Sequence, residues 1–142
     1  MAAVTIDIAD AVTAELAGGS FSQGFTPVRL FRPDFDVRDL SMLHVSVVPA
    51  GIEEQQESRS TSRQDVEIQI GVQQKVTDDN AAIDPLVLLV QEIGDFFRER
   101  RLVNFQAAMW RRTEIRPLYF PDELRERGIF VSIPTITFRV FR

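Results

Sequence analysis

Apolar residues along this chain recur with two periods, and each period names an element. From Ile8 they fall at Ile8, Val12 and Leu16, with Ala9, Ala11 and Ala14 between them, an i, i+4, i+8 stripe that predicts an amphipathic helix over 6–17. Asp7 and Asp10 sit early, where the helix dipole favours acids, and Gly18-Gly19 supply residues that commonly end a helix in the left-handed conformation. A wider stripe, Ile83, Leu86, Val87, Val90, Ile93 and Phe97 flanked by Leu89 and Phe96, predicts a heavily buried helix that anchors the core. Asp84-Pro85 marks its start as an N-cap followed by a proline, with Asp79-Asn80 as an earlier alternative.

The second period is two. Val66, Ile68, Ile70 and Val72 alternate with Glu67, Gln69, Gly71 and Gln73, the clearest half-buried strand in the chain. The β-branched run 43–48 reads as its neighbour, stopped by Pro49-Ala50-Gly51. Residues 28–31, between Pro27 and Pro33, read as a short edge strand, because prolines do not extend a ladder. A further strand is expected near 109–113, then a helical turn over 122–127 ended by Gly128. The closing run is apolar at Ile129, Val131 and Ile133 and then at Ile136, Phe138 and Val140. That phase change at Pro134 predicts a bulge or break that lets both Val131 and Phe138 face apolar neighbours.

Between two hairpin neighbours the stretch 52–64 is almost wholly polar and longer than the usual two to five residues, which predicts a long polar loop over 50–64, mobile in the lone subunit. The order of elements predicts an α+β fold with a mainly antiparallel sheet of four to five strands packed by two amphipathic helices. At 142 residues a single domain over 1–142 is expected.

Composition narrows the chemistry. There is no Cys, which removes thiolate nucleophiles and sulfur-ligated metals. The one His, His44, lies in a predicted strand and is expected to be structural. Ser58 to Ser62 contain no nucleophile elbow. The adjacent acids Glu53/Glu54, Asp78/Asp79 and Asp122/Glu123 fall on loops and caps without a reason for a raised pKa. No phosphate loop, dinucleotide fingerprint or calcium loop is present. The expectation is therefore no enzyme activity, no cofactor and no metal. No apolar run approaches the roughly 20 residues of a membrane span, and the start lacks a basic, apolar leader, so a soluble chain is expected.

Charge is unevenly placed. Residues 1–97 hold six Lys or Arg against sixteen acids, whereas 98–142 hold ten Arg against five acids. Such blocks often do no more than keep a protein soluble, but they also suit head-to-tail contact, in which an acidic face meets the basic face of the next copy and closes a ring. Net acidity argues against specific nucleic-acid binding. The cluster Arg98, Arg100 and Arg101 falls where a helix C-terminus needs positive charge, so it reads as a cap or an interface.

Four stretches taken in order, FTPVRLFRPDFDVRDLSMLHVSVVP, VEIQIGVQQKV, AIDPLVLLVQEIGDFFRERRL and IRPLYFPDELRERGIFVSIPTITFRV, resemble a family of small head–tail and tail-terminator (tail completion) proteins of long-tailed bacteriophages. The resemblance covers well over half of the chain and carries no catalytic signature. It implies a tail-terminator-like subunit of the virion neck, made in the host cytoplasm. It implies a ring, a hexamer in this family, that caps the tail tube and docks to the head connector, with a genome passing through. Its partners would be copies of itself, the tail tube protein and the head connector or adaptor. The alternatives are a portal-side connector or adaptor, a minor tube component or, from another class, a small non-virion regulatory or ligand-binding module. Candidate interface residues are Glu53, Glu54, Glu57, Arg59 and Arg63 on the polar loop, and Arg98, Arg100, Arg101, Arg111 and Arg112 on the basic flank.

Overall fold

A computed structural model describes residues 3–31 and 41–142. Pro33, the expected end of the first strand, lies outside the described residues. The elements follow one another as α1 (Val4–Gly18), β1 (Pro27–Arg29), β2 (His44–Gln56), β3 (Ser62–Lys75), α2 (Asn80–Phe97), β4 (Met109–Glu114), α3 (Pro121–Arg127), β5 (Ile129–Ser132) and β6 (Thr135–Phe141). They form an α+β fold with one mixed six-stranded sheet ordered β1-β2-β3-β6-β4, in which β5 also pairs with β3. Only β1–β2 is parallel, and every other pairing is antiparallel.

The two stripes read from the sequence meet on one face of the sheet. Ile8, Val12 and Leu16 of α1 and Leu86, Leu89, Val90, Ile93 and Phe97 of α2 share a buried cluster with Val66, Ile68, Ile70 and Val72 of β3. Asp79, the earlier of the two expected caps, is the one used: its carboxylate accepts from the Ala82 N–H at 2.8 Å. Two hydrogen bonds, from the Thr77 hydroxyl and the Ala82 N–H, hold that carboxyl below its usual pKa. Pro85 therefore lies inside the helix rather than at its first position. After α1, Gly19 is extended, not left-handed. A Cβ there would stand 2.7 Å from the Phe21 ring, so close approach of an aromatic is what calls for glycine.

Two further expectations are corrected, and a third is narrowed. The strand 43–48 does not stop at Pro49: β2 runs on to Gln56 with a bulge between Pro49 and Gly51. Among the described residues β1 covers only Val45–Val47 of β2, so Pro49 sits at a bulge beyond that pairing, where a missing N–H is tolerated.

The predicted mobile loop over 50–64 is instead a paired ribbon, with only 57–61 left to turn the chain. Its turn closes with the Glu57 and Ser58 N–H groups both donating to Thr61 O at 3.0 Å. The Ser62 hydroxyl donates to Glu54 Oε1 at 2.8 Å, and Arg63 bridges Gln55 and Glu57, reaching Glu57 at 2.8 Å. β6 adds a third strand, with reciprocal backbone bonds between Ser62 and Arg142 at 2.7 and 2.8 Å. Backbone ladders and polar cross-strand pairs order this segment without apolar burial.

At Pro134 there is a break without a bulge. Val72 faces Ser132 and Gln69 faces Thr135, one unchanged register across the gap, and the Ile70 N–H donates to Pro134 O at 2.9 Å. Phe130, Ile136, Phe138 and Val140 all face the main core. Ile129 and Val131 form a separate cluster with Phe120 and Ile133 on the other side. Val131 and Phe138 both meet apolar neighbours, but on opposite faces. The apparent phase change arose because β5 is covered on both faces, next to α3. Gly128 ends α3 at φ 65°, and its N–H donates to the carbonyls of Glu123 and Leu124.

Candidate assembly surface

Away from α1 and α2, the sheet turns a charged face outward. Register places its side chains in rows across the strands: Glu53, Asp65, Arg139 and Met109 in one, Gly51, Glu67, Thr137 and Arg112 in the next. Acids thus occupy β2 and β3 while arginines occupy β6 and β4. Arg139 grips Asp65 with two hydrogen bonds, Nε to Oδ1 at 2.8 Å and Nη2 to Oδ2 at 3.1 Å, a fork geometry that fixes both side chains. Those bonds hold the Asp65 carboxyl below its ordinary range; partial burial opposes them, and the charges of Arg139, Arg63 and Arg111 assist. Arg112 comes within 3.8 Å of Glu67.

A bulge between Trp110 and Arg112 interrupts the β4–β6 register at Arg111. Arg111 and Arg112, neighbours in sequence that a regular strand would send to opposite faces, therefore line one shallow cavity of about 220 Å³ with Glu53, Asp65, Glu67 and Arg139. Beside it, a groove of about 490 Å³ runs between α2 and β4, lined by Gly94, Asp95, Arg98, Trp110, Arg111 and Arg112 among others.

The structure separates the candidate residues into three groups. Glu53, Arg111 and Arg112 share the charged face, and Arg98 joins the two arginines in the groove. Glu54, Glu57, Arg59 and Arg63 belong to the ribbon and its turn, where Glu57 and Arg63 neutralise each other. Arg100 and Arg101 line a smaller cavity beside Trp110. Arg100 has a structural duty within the chain: its Nε donates to Phe96 O at 3.0 Å, its Nη1 meets Glu15 of α1 at 3.0 Å, and its guanidinium lies 3.8 Å above the Phe96 ring centroid. It caps α2 and ties it to α1. The charge imbalance between the two parts of the chain is thus partly answered internally, through Arg100–Glu15, Arg112–Glu67 and Arg139–Asp65. Asp65, Glu67 and Arg139 were not singled out from sequence. The alternation of β3 does place Asp65 and Glu67 on its polar side, but their partners, Arg139 and Arg112, come from later strands, Arg139 standing 74 residues from Asp65 in sequence.

His44 begins β2 opposite Gln73. Among the described residues, no group of three or more His, Asp or Glu is placed to hold a metal ion, and no helix is long and apolar enough to cross a membrane.

No protein-family model and no curated protein matches the chain. Among solved structures it is similar to the sheath/tube terminator of an extracellular contractile injection system (PVC), determined by cryo-EM in the extended state. The match has 17% identity and a TM-score of 0.50 over 100% of this chain. The fold is tail-terminator-like. The chain spans 57% of that terminator's length, and at this identity the likeness concerns the fold.

Proposed function

We propose that this chain is a structural subunit that assembles with copies of itself into a ring at the end of a tail-like tube, closing the tube and offering a surface to the next component. The observation that carries this reading is the likeness in fold, over the whole chain, to a protein that terminates a sheath and tube. The finer form is that of a long-tailed phage neck: a hexamer at the head-proximal end of the tail, contacting the tube protein on one side and the head connector on the other, with no catalytic step. A charged sheet face supports it, because such a face offers many fixed charges to a protein partner. Light scattering across micromolar concentrations tests the reading. A hexamer runs at six times the 16.2 kDa of one chain, and electron microscopy of tubes mixed with the protein should find it at tube ends. A monomer or dimer at every concentration, with no binding to tube ends, would overturn it.

A further inference from the structure

We infer that copies of this chain join edge to edge through the sheet itself, the outer edge of β2 at residues 50–56 in one copy pairing with the outer edge of β4 in the next. The inference rests on the ring reading above and names its contact. β1 covers β2 only at Val45–Val47, with Leu30 adding one bond to Val47 O. Among the described residues, 50–56 therefore present a bare strand edge. Among the described residues β4 pairs only with β6, so its far side has no strand partner there either. The two edges match in length, at seven and six residues, or about 20 Å of ladder. Both belong to the same four-strand ribbon, β2-β3-β6-β4.

Charge decides which edges meet. The β2 edge carries Glu53 and Glu54 and no base; the β4 edge carries Arg111 and Arg112 against one acid, Glu114. Two β2 edges, or two β4 edges, would set like charges opposite one another, which destabilises a strand pair. A β2 edge against a β4 edge sets acid beside base, a heterologous contact that propagates from copy to copy and can close. The charged rows give a second, independent sign. Within one chain Glu53 stands directly opposite another acid, Asp65, and its hydrogen-bond partner is the neutral amide of Gln55 at 3.3 Å. Among the described residues neither Glu53 nor Arg111 makes an ion pair. They lie on opposite borders of the same face, three strand spacings or about 14 Å apart. The next copy can supply each with the direct ion-pair partner that it lacks within its own chain. The bulge at Arg111 suits this role, since it aims two consecutive arginines at one face while spoiling indiscriminate pairing along the edge.

Charge exchange tests the contact directly. Glu53→Arg sets a base on the β2 edge against the β4 arginines, and Arg111→Glu with Arg112→Glu sets acids against Glu53 and Glu54; each variant should need at least a tenfold higher concentration to assemble. Mixing the two variants, or combining all three changes in one chain, should restore assembly. A chain without native cysteine permits a second measurement that does not depend on those variants folding. Glu53→Cys, combined in turn with a cysteine at each of the β4 positions 109–114, should yield on oxidation a ladder of linked chains at one register, because paired strands bring Cα atoms within disulfide range. Wild-type rings that form equally well in every charge variant, or that give no ladder at any position, would overturn edge pairing and leave the ring reading standing. A wild-type chain that never exceeds one copy would end both.

Discussion

β3 writes two faces in alternate residues, and the two are held by different physics. Val66, Ile68, Ile70 and Val72 are fully buried beneath α1 and α2, where apolar area removed from water stabilises whatever shape fills the space. Asp65 and Glu67, one residue out of phase, lie on a face whose order comes from paired charges and ladder hydrogen bonds, each worth little alone. The first face explains why the chain folds. The second explains what a folded chain has left to offer another molecule: fixed charges, two bare edges and a groove.

Neighbouring substitutions should separate the faces most strongly. Ile68→Ala should cost about 2–5 kcal/mol in urea unfolding, as expected for a large core side chain replaced by a methyl group, while Glu67→Ala should change stability by less than about 0.5 kcal/mol. Equal losses would mean that the charged face is as much a core as the apolar one. Next in size is Gly128→Ala. The left-handed φ of 65° at the end of α3 is costly for any residue that carries a Cβ. No atom stands closer than 3.5 Å to the added Cβ, so the cost should be the conformational one alone, about 1–2 kcal/mol by thermal unfolding.

Asp65→Asn should remove only about 0.5–1 kcal/mol, because the Asp65–Arg139 pair is partly exposed. A much larger loss would show the charged face sharing in core stability. The pH dependence refines that comparison. A carboxyl whose folded pKa lies below its ordinary 3.8 adds stability at pH values above the ordinary value and loses it as pH falls through the folded one. The stability gap between wild type and Asp65→Asn should therefore be constant near neutrality and shrink below about pH 4. A gap that widens on acidification would mean that the Arg139 bonds do not favour the charged carboxylate.

The core elements were legible because apolar periodicity is a local signal. The stripe of α1, the stripe of α2 and the alternation of β3 can each be read within one short segment, and each agrees in the main with the observed burial. Pro121, the two acids after it and Gly128 likewise mark α3 at both ends. The candidate surface was legible only in part. Arg111, Arg112 and Glu53 were picked out by charge, but nothing in the sequence signals that a bulge turns both arginines onto one face with Glu53.

By itself, then, the sequence determined the α+β class, the core positions and the absence of thiol chemistry, since these follow from residue type and short-range spacing. Only the tertiary structure decided the rest. The segment 50–64 reads as loop because it is polar, yet 51–56 pair with 62–67 as a hairpin ribbon, and β6 returns from the other end of the chain to flank 62–64. Pro134 reads as a phase change, yet β5 and β6 keep one register on β3, and Ile129 and Val131 serve a second small cluster with Phe120 and Ile133. The ribbon is set by backbone pairing that polarity does not report, and the register at Pro134 by contacts with a strand far away in sequence, where neither local periodicity nor local polarity carries information about the partner.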